Sequence, residues 1–236
     1  MKIAIKNRWQ AFGVHLLISF FIFAALTAII LFLWYPDFLF LYDGGLQGMK
    51  LIAGVDFLIG PVLTLFVYKL GKKTLRFDLI CIAFLQLACL VGGMWTIWQT
   101  RPIAIVYATG SFHVINKQGY ENESVNPFEM PILAESRWPV WVGVSQPVRQ
   151  NYSRIEWAMM AYRLAYSPEL YIPYEDALVF LKEDGVPYEE VSERLGTGYS
   201  EKDFPDYVRF YMVITSLSDG LLAIDTRTGE VVNAFF

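Results

Sequence analysis

Three long apolar runs fill the first hundred positions, and after them the pattern changes to short alternating and helical segments. Ala11 to Tyr35 carries no formal charge and is interrupted by His15. Leu51 to Tyr68 holds one charge, Asp56, and Leu79 to Trp98 holds none, although Gln86 lies within it. A helix rises about 1.5 Å per residue, so about 20 residues cross the hydrocarbon of a bilayer, and each run is long enough to span. Hydrocarbon offers the backbone no partners, which selects helix for all three. Gly60-Pro61 interrupts the second run. Proline lacks an N–H and kinks a membrane helix, leaving a carbonyl for a neighbouring helix to satisfy. The first run exceeds the apolar core of a cleavable leader, about 7–15 residues, and Phe23-Ala24-Ala25 lies inside it, so it reads as an uncleaved anchor.

Beyond Arg101 the periodicity predicts a separate water-exposed part. Ile103–Tyr107 and Phe112–Ile115 flank Thr109-Gly110 and read as a hairpin. Lys117 to Pro131 is polar and reads as a loop, and Val140–Val144 reads as a short strand. Ser153 and Glu156 form a capping-box pattern, followed by Ile155, Met159, Tyr162 and Tyr166 on one helical face. Pro173-Tyr-Glu-Asp-Ala177 and Pro187-Tyr-Glu-Glu-Val191 each place proline at a helix start with acids in the first turn, and each segment ends at a glycine, Gly185 or Gly196. Tyr207–Ile214, Leu221–Asp225 and Val231–Ala234 read as strands, with turns at Asp219-Gly220 and Thr228-Gly229. The expected fold class is a three-helix transmembrane domain over residues 1–101, joined to a small α+β domain over 102–236. That second domain combines an antiparallel sheet with two or three helices.

Composition sharpens this division. Hydrophobic residues make up 55% of the 236 and charged residues 18%, against soluble norms of about 45–50% and about 25%. These values exclude a disordered chain and a basic nucleic-acid-binding domain. Before Arg101 there are eight Lys or Arg and four Asp or Glu; after it there are ten and 19. Lys2, Lys6 and Arg8 precede the first span, and Lys69, Lys72, Lys73 and Arg76 follow the second, whereas the intervening loop carries Asp37 and Asp43. Basic loops stay cytoplasmic, so the N-terminus is expected inside and residues 103–236 outside. Trp34, Tyr35, Trp95 and Trp98 fall at the outer span ends, as an aromatic belt would.

Candidate chemistry is sparse. The two histidines are His15 and His113, and no metal-ligand, Walker or nucleophile-elbow motif is present. Neither an enzyme nor a cofactor is expected. Cys81 and Cys89 share the third run, too far apart on one helix to bridge. His113 reads as a surface strand residue. Asp56 lies inside a span, where an ionisable group is a functional candidate; a water-reaching structural role and a partner or cavity role both stay open. It sits about 8 Å below the outer end of the run that begins at Leu51. His15 is near the inner end of its own span, so a His15–Asp56 dyad is not expected. Gly54, Gly60, Gly92 and Gly93, with Pro61, are candidates for close helix packing or partner contact.

Lys50-Leu-Ile-Ala-Gly-Val-Asp-Phe-Leu-Ile-Gly-Pro-Val-Leu-Thr-Leu65 resembles the signature of type IV pilin accessory proteins. Leu75-Arg-Phe-Asp-Leu79, the segment from Trp95 to Arg101-Pro102, and Ile103 to Val114 continue the likeness, which covers about residues 45–115. The resemblance implies a multi-pass protein of the bacterial inner membrane with a periplasmic C-terminal domain. It would serve as a chaperone-like accessory to a cognate major pilin, itself held in the membrane by an apolar helix. It implies no catalytic residues. The partners expected are that pilin and the lipid bilayer, with no nucleic acid; the oligomeric state stays open. An envelope sensor acting through another membrane protein is the alternative. A reporter active only in the periplasm, fused after Phe236, should be active, and a cytoplasmic reporter at the same point silent; the reverse pattern overturns the orientation.

Overall fold

The computed structural model describes residues 7–134, 139–145, 153–196 and 198–236, so Lys2 and Lys6 lie outside the described residues. The chain divides into two compact units, Met1–Thr100 and Arg101–Phe236.

The first unit contains three helices long and apolar enough to cross a membrane: Arg8–Trp34, Gly45–Val67 and Leu75–Thr100. Asn7 caps the first, its side chain accepting the Gln10 N–H at 2.9 Å. A short helix, Phe38–Tyr42, follows the first long helix. Gly44, at φ 108°, then turns the chain into the second, a left-handed conformation that costs glycine little. The second long helix therefore starts at Gly45 and not at Leu51, because Gly45-Leu-Gln-Gly-Met-Lys50 is helical although it is not uniformly apolar. It packs along both of its neighbours. The first and third meet at their C-terminal ends, where the Trp34 and Trp98 rings contact edge-on at 5.3 Å. Beside them the Tyr35 and Thr100 hydroxyls are 3.2 Å apart.

The second unit is built on one seven-stranded sheet: β1 (Pro102–Ala108), β2 (Ser111–Asn116), β3 (Val140–Val144), β4 (Tyr171–Pro173), β5 (Val208–Ile214), β6 (Asp219–Asp225) and β7 (Val231–Phe235), in the order β4-β3-β1-β2-β5-β6-β7. The expected hairpin is present, with Thr109 at φ 45° and Gly110 at φ 85° forming its two-residue turn. The sheet is not antiparallel as expected but mixed: β1 pairs with β3, and β2 with β5, in parallel. Turn residues report only neighbours joined by hairpins, whereas these parallel pairs join strands far apart in sequence. The cue available was the unbroken apolar run of β1, whose every residue is buried. Burial on both faces is the mark of a central, parallel-paired strand.

Local chemistry explains the remaining differences. The segment read as a loop contains the helix Lys117–Asn122, because the Asn116 side chain caps it at the Gly119 N–H (2.8 Å) and Lys117 pairs with Glu121 at 3.2 Å. Asp219-Gly220 lies inside β6, opposite Ile214 and Val213. The turn falls earlier, where Thr215 Oγ1 accepts the Leu217 and Ser218 N–H groups. Gly220 is needed because a Cβ there would sit 2.4 Å from the Phe235 carbonyl oxygen. The capping box forms as read, with the Ser153 N–H donating to Glu156 Oε2 at 2.8 Å. The helix it starts, Arg154–Ala165, turns Ile155, Met159 and Tyr162 outward and buries Ala161 and Ala165. Small residues let this helix lie close over Ala104, Val106 and Val142 in one core. The two proline-led segments form the helices Tyr174–Asp184 and Tyr188–Leu195, which bury Ala177 and Val191 at matching positions.

His113 is a further correction: it is 4% exposed, not a surface residue. It faces Val106 and Ile214 across the ladder, and the Tyr162 ring stands edge-on to it at 6.5 Å. Its hydrogen-bond partner is Ser111, with Nε2 and Oγ 3.1 Å apart. Burial pulls its pKa from 6.5 to about 4. Between those values the unfolded chain takes up a proton that the folded chain refuses, so stability falls as pH drops from 6.5 to about 4. The loss should approach about 3 kcal/mol. Thermal unfolding followed across this range should show it, and His113→Gln, which keeps a donor for Ser111, should flatten the slope relative to the parent.

Candidate functional site

The polar groups of the first unit converge on the middle of the second long helix. From Ala53 to Ile59 this helix widens into a π-turn, with the Gly60 N–H bonding the Val55 carbonyl five residues back. In the same register the Asp56 carbonyl would be served by residue 61, but that residue is proline and has no N–H. Gln86 of the third helix supplies the missing donor, its Nε2 lying 3.4 Å from the Asp56 oxygen. Gly60 makes room for it: a Cβ there would fall 1.8 Å from that nitrogen. Glycine, proline and the amide thus form one device, and the neighbouring helix re-satisfies the carbonyl as the sequence led one to expect.

Histidine enters the same region from the first helix. His15 Nδ1 and Thr64 Oγ1 share a hydrogen bond of 2.6 Å. Side chains from all three helices are thereby tied together around one helix break.

Asp56 belongs to this region but its side chain takes no part in the network. Its residue surface is 5% exposed, and its Oδ2 has no hydrogen-bond partner among the described residues. Because the helix begins at Gly45, Asp56 lies about 16 Å from that end, near the middle of the helix. His15 pairs with Thr64 and not with Asp56, and no dyad forms. Among the other candidates, Gly93 sits at ordinary contact distance from Ile52, its Cβ position 3.8 Å away. Gly54 and Gly92 have no atom within 4 Å of theirs. Pro61 and Thr64 are both buried. The sequence reading missed three contributors: Thr64, the role of Gln86, and Gly48, where a Cβ would meet Ile97 at 2.7 Å. A polar residue within an apolar run was the signal for the first two.

The second unit offers two hollows of about 250 and 260 Å³ that share His113 and Ile214 on their floor, with the Arg154–Ala165 helix as a wall. Among the described residues, no group of three or more His, Cys, Asp or Glu side chains is placed to hold a metal ion.

The family described as "Fimbrial assembly protein FimB" matches residues 3–37, the first long helix and its approaches. The chain is 35% identical to the fimbrial assembly protein of serogroups C1 and C2 from Dichelobacter nodosus, an alignment covering 82% of that protein and 44% of this one. The chain belongs to the FimB fimbrial assembly family. Two further Dichelobacter nodosus fimbrial assembly proteins, of serogroups E1 and I, are each 27% identical to this FimB-family chain. Their alignments cover 78% and 74% of it, and 73% and 70% of the relatives. No solved structure matches.

Gly60→Ala should drive the Gln86 amide out and leave the Asp56 carbonyl bare, costing about 1–3 kcal/mol. Gln86→Leu should reproduce the loss without overpacking. Thermal unfolding of each variant in detergent checks both, and the double variant should lose much less than the two single effects added together, because both break one contact.

Proposed function

We propose that this chain is a membrane accessory protein that binds the cognate major type IV pilin and promotes its stability or its assembly into fimbriae. The observation carrying this reading is the similarity to a named fimbrial assembly protein over most of that relative's length. In this reading residues 1–101 are the membrane domain, the N-terminus is cytoplasmic and residues 102–236 stand in the periplasm of a bacterial inner-membrane protein. The three long apolar helices support membrane insertion. The role needs binding and release, not bond chemistry, and we read the chain as a non-enzyme without a cofactor.

Contact would occur at two levels. The long helices expose large apolar side chains such as Phe32, Leu58 and Phe84 to lipid or to a partner helix. The second unit carries the excess of acids and would seek a basic patch on the pilin head, in an association weakened by salt. Exchanging residues 103–236 with those of a relative should transfer pilin preference, read by capture of co-expressed pilins and by fimbriation and twitching. Preference that follows residues 1–100 instead, or a failure to capture pilin at either level, overturns this reading.

A further inference from the structure

The two hollows over His113 lie where the sheet opens of its own accord. β2 and β5 run parallel from Ser111 opposite Met212 to His113 opposite Ile214, and then part. The chain leaves β2 for β3 on one side and leaves β5 for β6 on the other. A crevice beyond the C-terminal ends of parallel strands whose connections diverge is the usual ligand position in open α/β sheets. Here Val114 and Asn116 line it from the end of β2, and Thr215 and Ser216 from just after β5. Each hollow alone is smaller than an ordinary small-molecule site of about 300–1,000 Å³, but the pair, adjoining over His113 and Ile214, falls within that range.

The chemistry of this trough is narrow. The Ser111 hydroxyl donates its proton to the Ala108 carbonyl at 3.1 Å, so in the bond between Ser111 Oγ and His113 Nε2 the ring nitrogen is the donor. Burial keeps the ring neutral, which makes Nδ1 an acceptor, and no group among the described residues donates to it. Gln118 and Asn122, four apart on the Lys117–Asn122 helix and both exposed, bring two amides to the same hollow. Trp157 and Tyr162 of the Arg154–Ala165 helix give one aromatic wall to each hollow. Among the described residues no Lys, Arg, Asp or Glu lines either one; Glu123, which accepts from the Tyr162 hydroxyl at 3.2 Å, is not part of the lining.

These features choose among occupants. A phosphate or carboxylate would find no cation here, and a cation no carboxylate. An extended peptide binds by adding a strand to an open sheet edge, but β2 and β5 are each paired on both sides. An amphipathic helix needs an apolar groove, whereas amides and hydroxyls line much of this one. A sugar ring carries a C–H face that the negative face of an aromatic ring attracts, and a rim of hydroxyls that both donate and accept. We propose that the trough over His113 binds a neutral saccharide, with one sugar unit against Trp157, the next against Tyr162, and a hydroxyl or acetamido N–H donating to His113 Nδ1. The site depends neither on the membrane orientation nor on the pilin reading.

The test is isothermal titration of the full chain, extracted in a detergent without a sugar headgroup, with N,N′-diacetylchitobiose, maltose and maltose 1-phosphate. At least one neutral disaccharide should bind with a Kd below about 1 mM, and the phosphate should bind at least about tenfold more weakly than that sugar. Trp157→Ala and the double variant Gln118→Ala/Asn122→Ala should each weaken binding about tenfold. Trp157→Phe, which keeps a ring face, should stay within about threefold of the parent, and Ile155→Ala on the outward face should match it. Chitohexaose binding as tightly as the disaccharide supports a polymer strand as the source; exclusion of the hexamer with the disaccharide still bound supports a free sugar. Absence of binding by both neutral disaccharides overturns the proposal, as does a phosphate derivative that binds as tightly as they do. So does binding that the amide variant leaves unchanged, and because those amides are exposed, that variant reads the site even if Trp157→Ala fails to fold.

Discussion

The helical unit depends on one missing hydrogen. Proline at position 61 cannot donate to the Asp56 carbonyl, and in a hydrocarbon setting no water replaces it. The consequences spread outward from that deficit. The third helix must present Gln86 at that height, the second must carry glycine at position 60 to admit it, and the first is drawn in through His15, which bonds Thr64. Three helices whose contacts are largely apolar thereby acquire a defined register. Packing among apolar helices in lipid has little hydrophobic driving force, so a polar tie of this kind decides which of many similar arrangements is adopted.

The sheet unit gains its register differently. β1 is buried along its whole length and serves as the axis on which the others assemble. One face is closed by the Arg154–Ala165 helix lying on alanines. On the other the Tyr174–Asp184 helix lies so close that a Cβ at Gly143 would meet Ala177 at 2.2 Å. Aromatic rings complete that face, with Tyr211 edge-on to both Tyr107 and Phe112 and the Tyr107 hydroxyl donating to Asp184 at 2.9 Å.

Much of this was legible because it is local. The Thr109-Gly110 turn, the Ser153–Glu156 box, the proline-led helices and the need for a foreign donor near Gly60-Pro61 each follow from a few adjacent residues. What escaped is non-local. Nothing near Ser111 announces Met212 as its neighbour, and nothing near Ile155 says that the alanine face of that helix, not the larger apolar stripe, meets the sheet. His113 looked like a surface residue because strand alternation cannot reveal that a helix covers it. The start of the second long helix at Gly45, ahead of the apolar run that opens at Leu51, escaped because apolarity, which marks where lipid begins, does not mark where a helix begins.

The parallel join between β2 and β5 has a consequence for how the chain reaches its structure. Ser111–His113 find their partners at Met212–Ile214, about a hundred residues later. The β1–β2 hairpin can close as soon as it is made, but one edge of β2 then stays bare until β5 and β6 are synthesised. Pairings of such wide separation form slowly, since loop closure must come before the contacts that reward it. During that interval the exposed strand edge is a template for wrong pairing with other chains. A member of a fimbrial assembly family thus passes through a stage in which it is itself open to misassembly.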